Sequence, residues 1–112
     1  MSKCLFCKMV AGEITPDVVY EDETILAFRD INPQAPTHIL IIPKSHVETL
    51  NELNDSVLAG QLLQTAIKLA KQEGLADDGY RTVFNCNKQG GQEVYHLHMH
   101  LLGGRQMIWP PG

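Results

Sequence analysis

The run His96-Leu97-His98-Met99-His100-Leu101-Leu102 sets three of the chain's five histidines at alternate positions, with apolar residues between and after them. Alternation belongs to a strand, where every second side chain points the same way and neighbours on one face lie roughly 7 Å apart. Three imidazoles would then share one face, while Leu97, Met99 and Leu101 enter a core on the other. A helix would scatter them. A merely polar strand exterior would more usually carry Thr, Lys or Glu, so the row reads as chemistry. Imidazole titrates near pH 6.5 and can serve as nucleophile, acid or base at neutral pH. The middle ring, His98, has a neighbour on each side to steer its tautomer. Just upstream, Gly90-Gly91-Gln92 can bring backbone N–H groups close to an anion because no Cβ intervenes. Alone, Gly90-Gly91 would read as a hairpin turn; its place ahead of the histidines favours anion binding. A nucleophile beside such donors suits in-line attack on phosphorus, with the donors holding the nonbridging oxygens. No G-x-x-x-x-G-K-[ST] loop is present, so this is not the chemistry of an ordinary nucleoside triphosphatase.

A chain of 112 residues forms one domain, spanning 1–112, with room for a real core but not for two. Its 44% hydrophobic and 20% charged residues are ordinary globular values, which points to a packed core. A formal charge of -4 argues against a broad footprint for a nucleic acid polymer. A single nucleotide needs only local donors and stays within reach. No apolar stretch approaches a membrane span and Met1-Ser2-Lys3-Cys4 opens no signal peptide, so a cytoplasmic protein without a membrane partner is expected. The odd, small set of Cys4, Cys7 and Cys86 does not suit a secreted disulfide scaffold.

The elements that must position the histidines follow from periodicity and breakers. Cys4 to Val10 reads as one or two helical turns closed by Gly12. Val18–Tyr20 and Thr24–Phe28 read as strands joined by a Glu21-Asp22-Glu23 turn, and Asn32-Pro33-Gln34-Ala35-Pro36 as a loop. The continuous apolar run His38–Ile42, stopping at Pro43, suits a central strand buried on both faces. Asn54 or Asp55 can cap a long helix whose face carries Leu58, Leu62, Ala66, Leu69 and Ala70, until Gly74 ends it. Gly60 inside that helix costs about 1 kcal/mol relative to Ala, which suggests close packing there. Tyr80–Asn85 reads as a strand and Lys88–Gln92 as a flexible turn into the histidine strand. The fold class is α+β: an antiparallel sheet on one long helix. Exposed Trp109 beside Pro110 and Pro111 suggests a tail, 103–112, docked against this subunit or a partner.

His96-x-His98-x-His100 with Leu101-Leu102 resembles the motif of the histidine triad (HIT) family, a His repeated on alternate residues with hydrophobic spacers. The likeness extends through Asp30–His38, Ile41–Lys44, Gly90–Gln92, Val94-Tyr95, Gly103–Met107 and Trp109–Gly112, and is similar to the nucleotide-binding branch of that family over nearly the full length. The resemblance implies a five-stranded antiparallel sheet with a short N-terminal helix, and a homodimer with the tail near its interface. It also implies hydrolysis of purine nucleoside phosphoramidates, such as adenosine monophosphate linked to an amine. By position it gives His98 as the nucleophile that forms a nucleotidyl-histidine, His100 as the phosphate ligand that assists the leaving group, and His96 and His38 as supports. Asp30 would hold the ribose hydroxyls and Ile31 the base. Asn85, Gly91, Gln92 and the backbone at Glu93 would cradle the phosphate, and Trp109 would reach towards the partner's pocket. Family members often carry Ser where this chain has Glu93, and a carboxylate cannot donate to phosphate.

Cys4-x-x-Cys7 has the spacing of a zinc ligand pair, and His46 and His96 are available to complete a tetrahedral site. Two cysteines packed under a short helix is the competing reading. No cofactor is expected to be needed for catalysis; a structural zinc is the one metal in view. Two other functions stand beside the hydrolase. One is a metallohydrolase with its metal at His96 and His98, weakened because no carboxylate is expected beside the row to complete an open site. The other is a non-catalytic nucleotide-binding or regulatory module. Within the family, dinucleoside polyphosphate hydrolysis is the nearest catalytic alternative.

Overall fold

The apolar run that ends at Pro43 becomes the middle strand of a five-stranded antiparallel sheet. The computed structural model describes residues 3–112, so Met1 and Ser2, where the leader reading begins, lie outside the described residues. Strands β1 (Val18–Glu21), β2 (Ile25–Arg29), β3 (Thr37–Pro43), β4 (Tyr80–Phe84) and β5 (Met99–Gly103) lie in the order β1-β2-β3-β5-β4. Every residue of β3 after Thr37 is buried, which explains its unbroken apolar composition. The β1–β2 turn is built by Asp22, whose Oδ1 accepts from the backbone N–H of Thr24 and of Ile25, both at 2.8 Å. Glu21 therefore stays in β1 and Thr24 in the turn, one residue later than the acidic run suggests.

Helix α1 (Leu5–Val10) and helix α2 (Ser56–Gln72) cover opposite faces of the sheet. Asp55, rather than Asn54, caps α2, with Oδ1 accepting from Val57 N–H at 3.0 Å and Leu58 N–H at 3.1 Å. The stripe Leu58, Leu62, Ala66, Leu69 and Ala70 packs on Ile25, Ala27, Ile39, Ile41, Leu97, Met99 and Leu101. On the other face Phe6 of α1 joins Leu26, Phe28, Leu40 and Ile42. Gly60 differs from expectation: it is exposed, and nothing lies within 4 Å of where its Cβ would be, so nothing in this subunit packs closely on it. Gly103 is the glycine that close packing requires. A Cβ there would lie 2.6 Å from Leu75 Cδ1 and 2.7 Å from Cδ2, and Leu75 is buried. Gly103→Ala should lower stability by about 1–3 kcal/mol, the usual cost of overpacking, measurable as a fall in the urea midpoint at unchanged slope.

Two boundaries bear on the site. Lys88–Gln92 is not a flexible turn but a single helical turn, α3 (Asn87–Gly90), closed by Gly91 at φ +82°, a left-handed cap that glycine adopts freely. And β5 begins at Met99, so His96 and His98 precede the ladder. The cause lies in the backbone partners there. Leu97 N–H donates to Val47 O at 2.6 Å, and the His96 carbonyl is taken by the His98 ring.

Candidate active site

The alternation of apolar and imidazole side chains persists upstream of β5 although the ladder does not. Leu97, Met99 and Leu101 enter the core under α2, and the histidines lie on the side of α1. The His98 and His100 rings are 5.0 Å apart, the His38 and His100 rings 5.2 Å, and the His46 and His96 rings 4.9 Å. His38 reaches this line from β3, where it pairs with Leu102 of β5. The five histidines thus form one band in two runs, bridged by Phe6, which is edge-on to both His96 (5.8 Å) and His98 (5.2 Å). Phe6 was not legible as a site residue, because an aromatic in a short apolar helix reads as core.

Hydrogen bonds assign the ring protons. His98 Nδ1 lies 2.8 Å from the His96 carbonyl oxygen, which can only accept; Nδ1 therefore carries the proton and Nε2 a lone pair. His96 Nε2 lies 2.8 Å from Pro43 O, so its proton is on Nε2 and its Nδ1 is a lone pair. His38 Nδ1 accepts from the backbone N–H of Gln34 at 3.0 Å, and its Nε2 lies 2.9 Å from His100 Nδ1. Asp30 Oδ2 is 3.4 Å from the same Nε2, so a carboxylate does stand beside the row, brought there from the end of β2. The other Asp30 oxygen accepts from Asn32 N–H at 2.8 Å.

The remaining residues implicated by the resemblance ring this band unequally. Asn85 is half-buried just past β4, ahead of α3. Gln92 is buried with its side-chain amide fully engaged: Nε2 donates to Glu48 O (2.9 Å) and Val94 O (3.1 Å), and Oε1 accepts from Asn87 N–H (2.9 Å). The backbone N–H groups of Gly91 and Gln92 also bond within the loop, to Lys88 O and Asn87 O. Gln92 is therefore a staple that shapes the loop, and the first N–H beyond it belongs to Glu93, whose side chain is exposed. Ile31 is fully exposed at the end of β2. Trp109 is 82% exposed, so the tail does not dock its indole on this subunit, although Arg81 Nη2 donates to Ile108 O at 2.9 Å.

At the far end of the band Cys4, Cys7, His46 and His96 bring two sulfurs and two ring nitrogens within 4.8 Å of one another. Cys4 Sγ and Cys7 Sγ lie 3.4 Å and 3.5 Å from His96 Nδ1, and Cys7 Sγ lies 3.2 Å from His46 Nδ1. These separations approach the roughly 3.5 Å edge of a tetrahedron with Zn–S near 2.3 Å and Zn–N near 2.05 Å. Because Pro43 holds the His96 proton on Nε2, the nitrogen aimed at the sulfurs is the one able to ligate. The donor set fits zinc. His96 and His98 do not share a metal position: both His96 nitrogens are committed, to Pro43 O and to the sulfurs, and His98 Nδ1 is committed to the His96 carbonyl.

The sequence profile of the HIT domain matches residues 11–107. This chain belongs to the HIT domain family. The HIT domain here is 52% identical over 105 residues to a purine nucleoside phosphoramidase of Escherichia coli K12, covering 92% of this chain and 88% of that one. It is 57% identical over 116 residues to a 14 kDa zinc-binding protein of Zea mays, covering 99% and 89%. The crystal structure of a HIT family hydrolase from Legionella pneumophila Philadelphia 1 superposes with a TM-score of 0.96 at 64% identity, covering 98% of this chain and all of that one. No helix among the described residues is long and apolar enough to cross a membrane.

Burial is the first cause of lowered basicity at His38, His96 and His100. His100 is pushed down to about 4, first by burial and then by the facing rings of His98 and His38, with Asp30 opposing. Burial also lowers His38, again against Asp30. A folded value below the unfolded 6.5 means that the unfolded chain takes up the proton first as pH falls. This contribution to stability is intact above pH 6.5 and is lost progressively towards about 4. Thermal scans should therefore show Tm falling across that window, and His100→Gln should flatten the fall.

Proposed function

We propose that this HIT domain hydrolyses purine nucleoside phosphoramidates, adenosine monophosphate joined to an amine among them, through a nucleotidyl-histidine at His98. One observation carries the reading: the His96 carbonyl holds the His98 proton on Nδ1 and leaves Nε2 as a lone pair beside a second imidazole. In the first step Nε2 attacks phosphorus, a nitrogen–phosphorus bond forms, and the bond to the leaving nitrogen breaks. That nitrogen departs as the amine, taking one proton from solvent. The imidazolium that results keeps its Nδ1–H on the His96 carbonyl, which favours the developing charge. Water then attacks the same phosphorus, His98 is released, and the nucleoside monophosphate leaves.

His100 is the phosphate ligand that assists the leaving group, with His38 behind it. Asp30 is assigned to the ribose hydroxyls and exposed Ile31 to the base. Asn85 and the backbone from Gly91 to Glu93 form the phosphate loop, held in shape by the Gln92 side chain. Cys4, Cys7, His46 and His96 would hold a structural zinc, which would supply a cross-link between α1 and the segment ahead of β5 that carries the nucleophile. A second copy completes the assembly. The unpaired edge of β4, the α2 face with Gly60 and half-exposed Leu63, and the exposed Ile108 and Trp109 are the surfaces that it would cover.

The test is incubation of purified protein with an adenosine phosphoramidate and, separately, with a dinucleoside polyphosphate, each with and without chelator. Preferred turnover of the phosphoramidate that survives chelation supports the reading. Preference for the polyphosphate would move the chain to that branch, and nucleotide binding without turnover would make it a regulatory module.

A further inference from the structure

The backbone N–H of Gln34 donates to His38 Nδ1 at 3.0 Å. An amide N–H cannot accept, so His38 Nδ1 must present its lone pair and the ring proton must sit on Nε2. That nitrogen faces His100 Nδ1 at 2.9 Å and Asp30 Oδ2 at 3.4 Å. The shorter contact goes to His100, whose Nδ1 must then accept, and the neutral His100 ring keeps its own proton on Nε2. The line has a direction, set at its loop end: Gln34 N–H to His38, then His38 N–H to His100. Reversed, His38 would donate from Nδ1 and His100 from Nδ1, and His100 Nε2 would meet a phosphate oxygen with a lone pair. Asp30, His38 and His100 bring three donor atoms close enough to suggest a metal. The same amide argues against one, since a metal on Nε2 would leave the ring with no proton on either nitrogen.

We infer that the backbone amide of Gln34 is a positioning group, which fixes the proton of His100 on Nε2 and so gives the two adjacent rings opposite polarity. His98 offers a lone pair at Nε2 and His100 an N–H. A nucleophile and a hydrogen-bond donor to phosphate are the two halves that attack on phosphorus needs. The loop is built to hold the amide still. Pro33 and Pro36 flank it. Asn32 N–H is tied to Asp30, Gln34 Nε2 donates to Asn32 O at 3.1 Å, and Arg105 Nε donates to Gln34 O at 3.0 Å. Burial lowers both His38 and His100, in keeping with neutral rings at pH 7. The catalytic consequence rests on the proposed phosphoramidate reading; the proton positions do not.

The experiment is long-range ¹H–¹⁵N spectroscopy on the full chain with ¹⁵N-labelled histidine at pH 7, where protonated and unprotonated ring nitrogens resonate far apart. Resonances are assigned through single His→Gln variants. His38 and His100 are expected as Nε2–H tautomers in the unaltered chain and in Gln34→Ala, which keeps the amide proton. Gln34→Pro removes that proton; His100 should then lose its Nε2–H preference, and kcat should fall about tenfold, the scale of one hydrogen bond. A proton on Nδ1 of either ring in the unaltered chain overturns the inference, whatever the variant does to the loop. So does a folded Gln34→Pro chain with His100 and kcat unchanged. If the tautomers are as stated and no phosphoramidate is hydrolysed, the proposed function fails and the assignment stands.

Discussion

His98→Ala is expected to lower kcat/KM for an adenosine phosphoramidate by at least about 10⁴-fold, the scale seen when a covalent nucleophile is removed, while adenosine monophosphate still binds. The reasoning is specific to the ring's surroundings. His98 is only 8% exposed, with Phe6 edge-on at 5.2 Å and His100 at 5.0 Å. Its nitrogens are divided between an Nδ1–H spent on a carbonyl and an Nε2 left to react. His96 is fully buried and committed to Pro43 and the sulfurs, so it cannot substitute. Rapid-quench intact mass should show an adenylyl adduct on the unaltered chain and none on His98→Ala. A His98→Gln variant, closer in volume, separates loss of the nucleophile from a cavity beside Phe6 and should be equally inactive. Undiminished turnover by either variant would overturn the covalent route.

The two faces of the sheet were legible in the sequence because side-chain direction needs only alternation. Leu97, Met99 and Leu101 lie in the core under α2, and the histidines between them lie on the other side. A cap at Asn54 or Asp55 and a stop at Gly74 were legible from local residue type, and the structure chose Asp55. The start of β5 was not, because it is decided by Val47, fifty residues upstream, whose carbonyl takes the Leu97 N–H. Nor was the carboxylate beside the row: Asp30 is seventy residues from His100 in sequence and reaches it through the pairing of β2 with β3 and β3 with β5. The groups that place the ring protons, the amide of Gln34 and the carbonyls of Pro43 and His96, are backbone atoms and leave no mark in residue type. Gln92 shows the converse. Its type suits phosphate binding, and only its partners reveal a side chain used up on the backbone of its own loop and of Glu48.

Preparation with zinc should give one metal per chain, and its removal by chelator should lower Tm by about 10 °C. A ligand at a hundred times its Kd stabilises the folded state by about 2.7 kcal/mol. For a domain near this size each kcal/mol shifts Tm by roughly 4 °C. Cys4→Ser and Cys7→Ser should each abolish the response to chelator, since a neutral hydroxyl is a poor substitute for thiolate at a Cys₂His₂ site. The site also touches the nucleophile through one residue. The His96 ring is pinned between Pro43 O and the sulfurs, and its carbonyl holds His98 Nδ1. Loosening that ring should therefore lower kcat more than it raises KM, and leave turnover measurable. Complete loss of turnover on chelation, restored by metal, would instead favour metal-assisted hydrolysis. An unchanged Tm with no metal bound would leave the cluster as two cysteines and two histidines packed beneath α1.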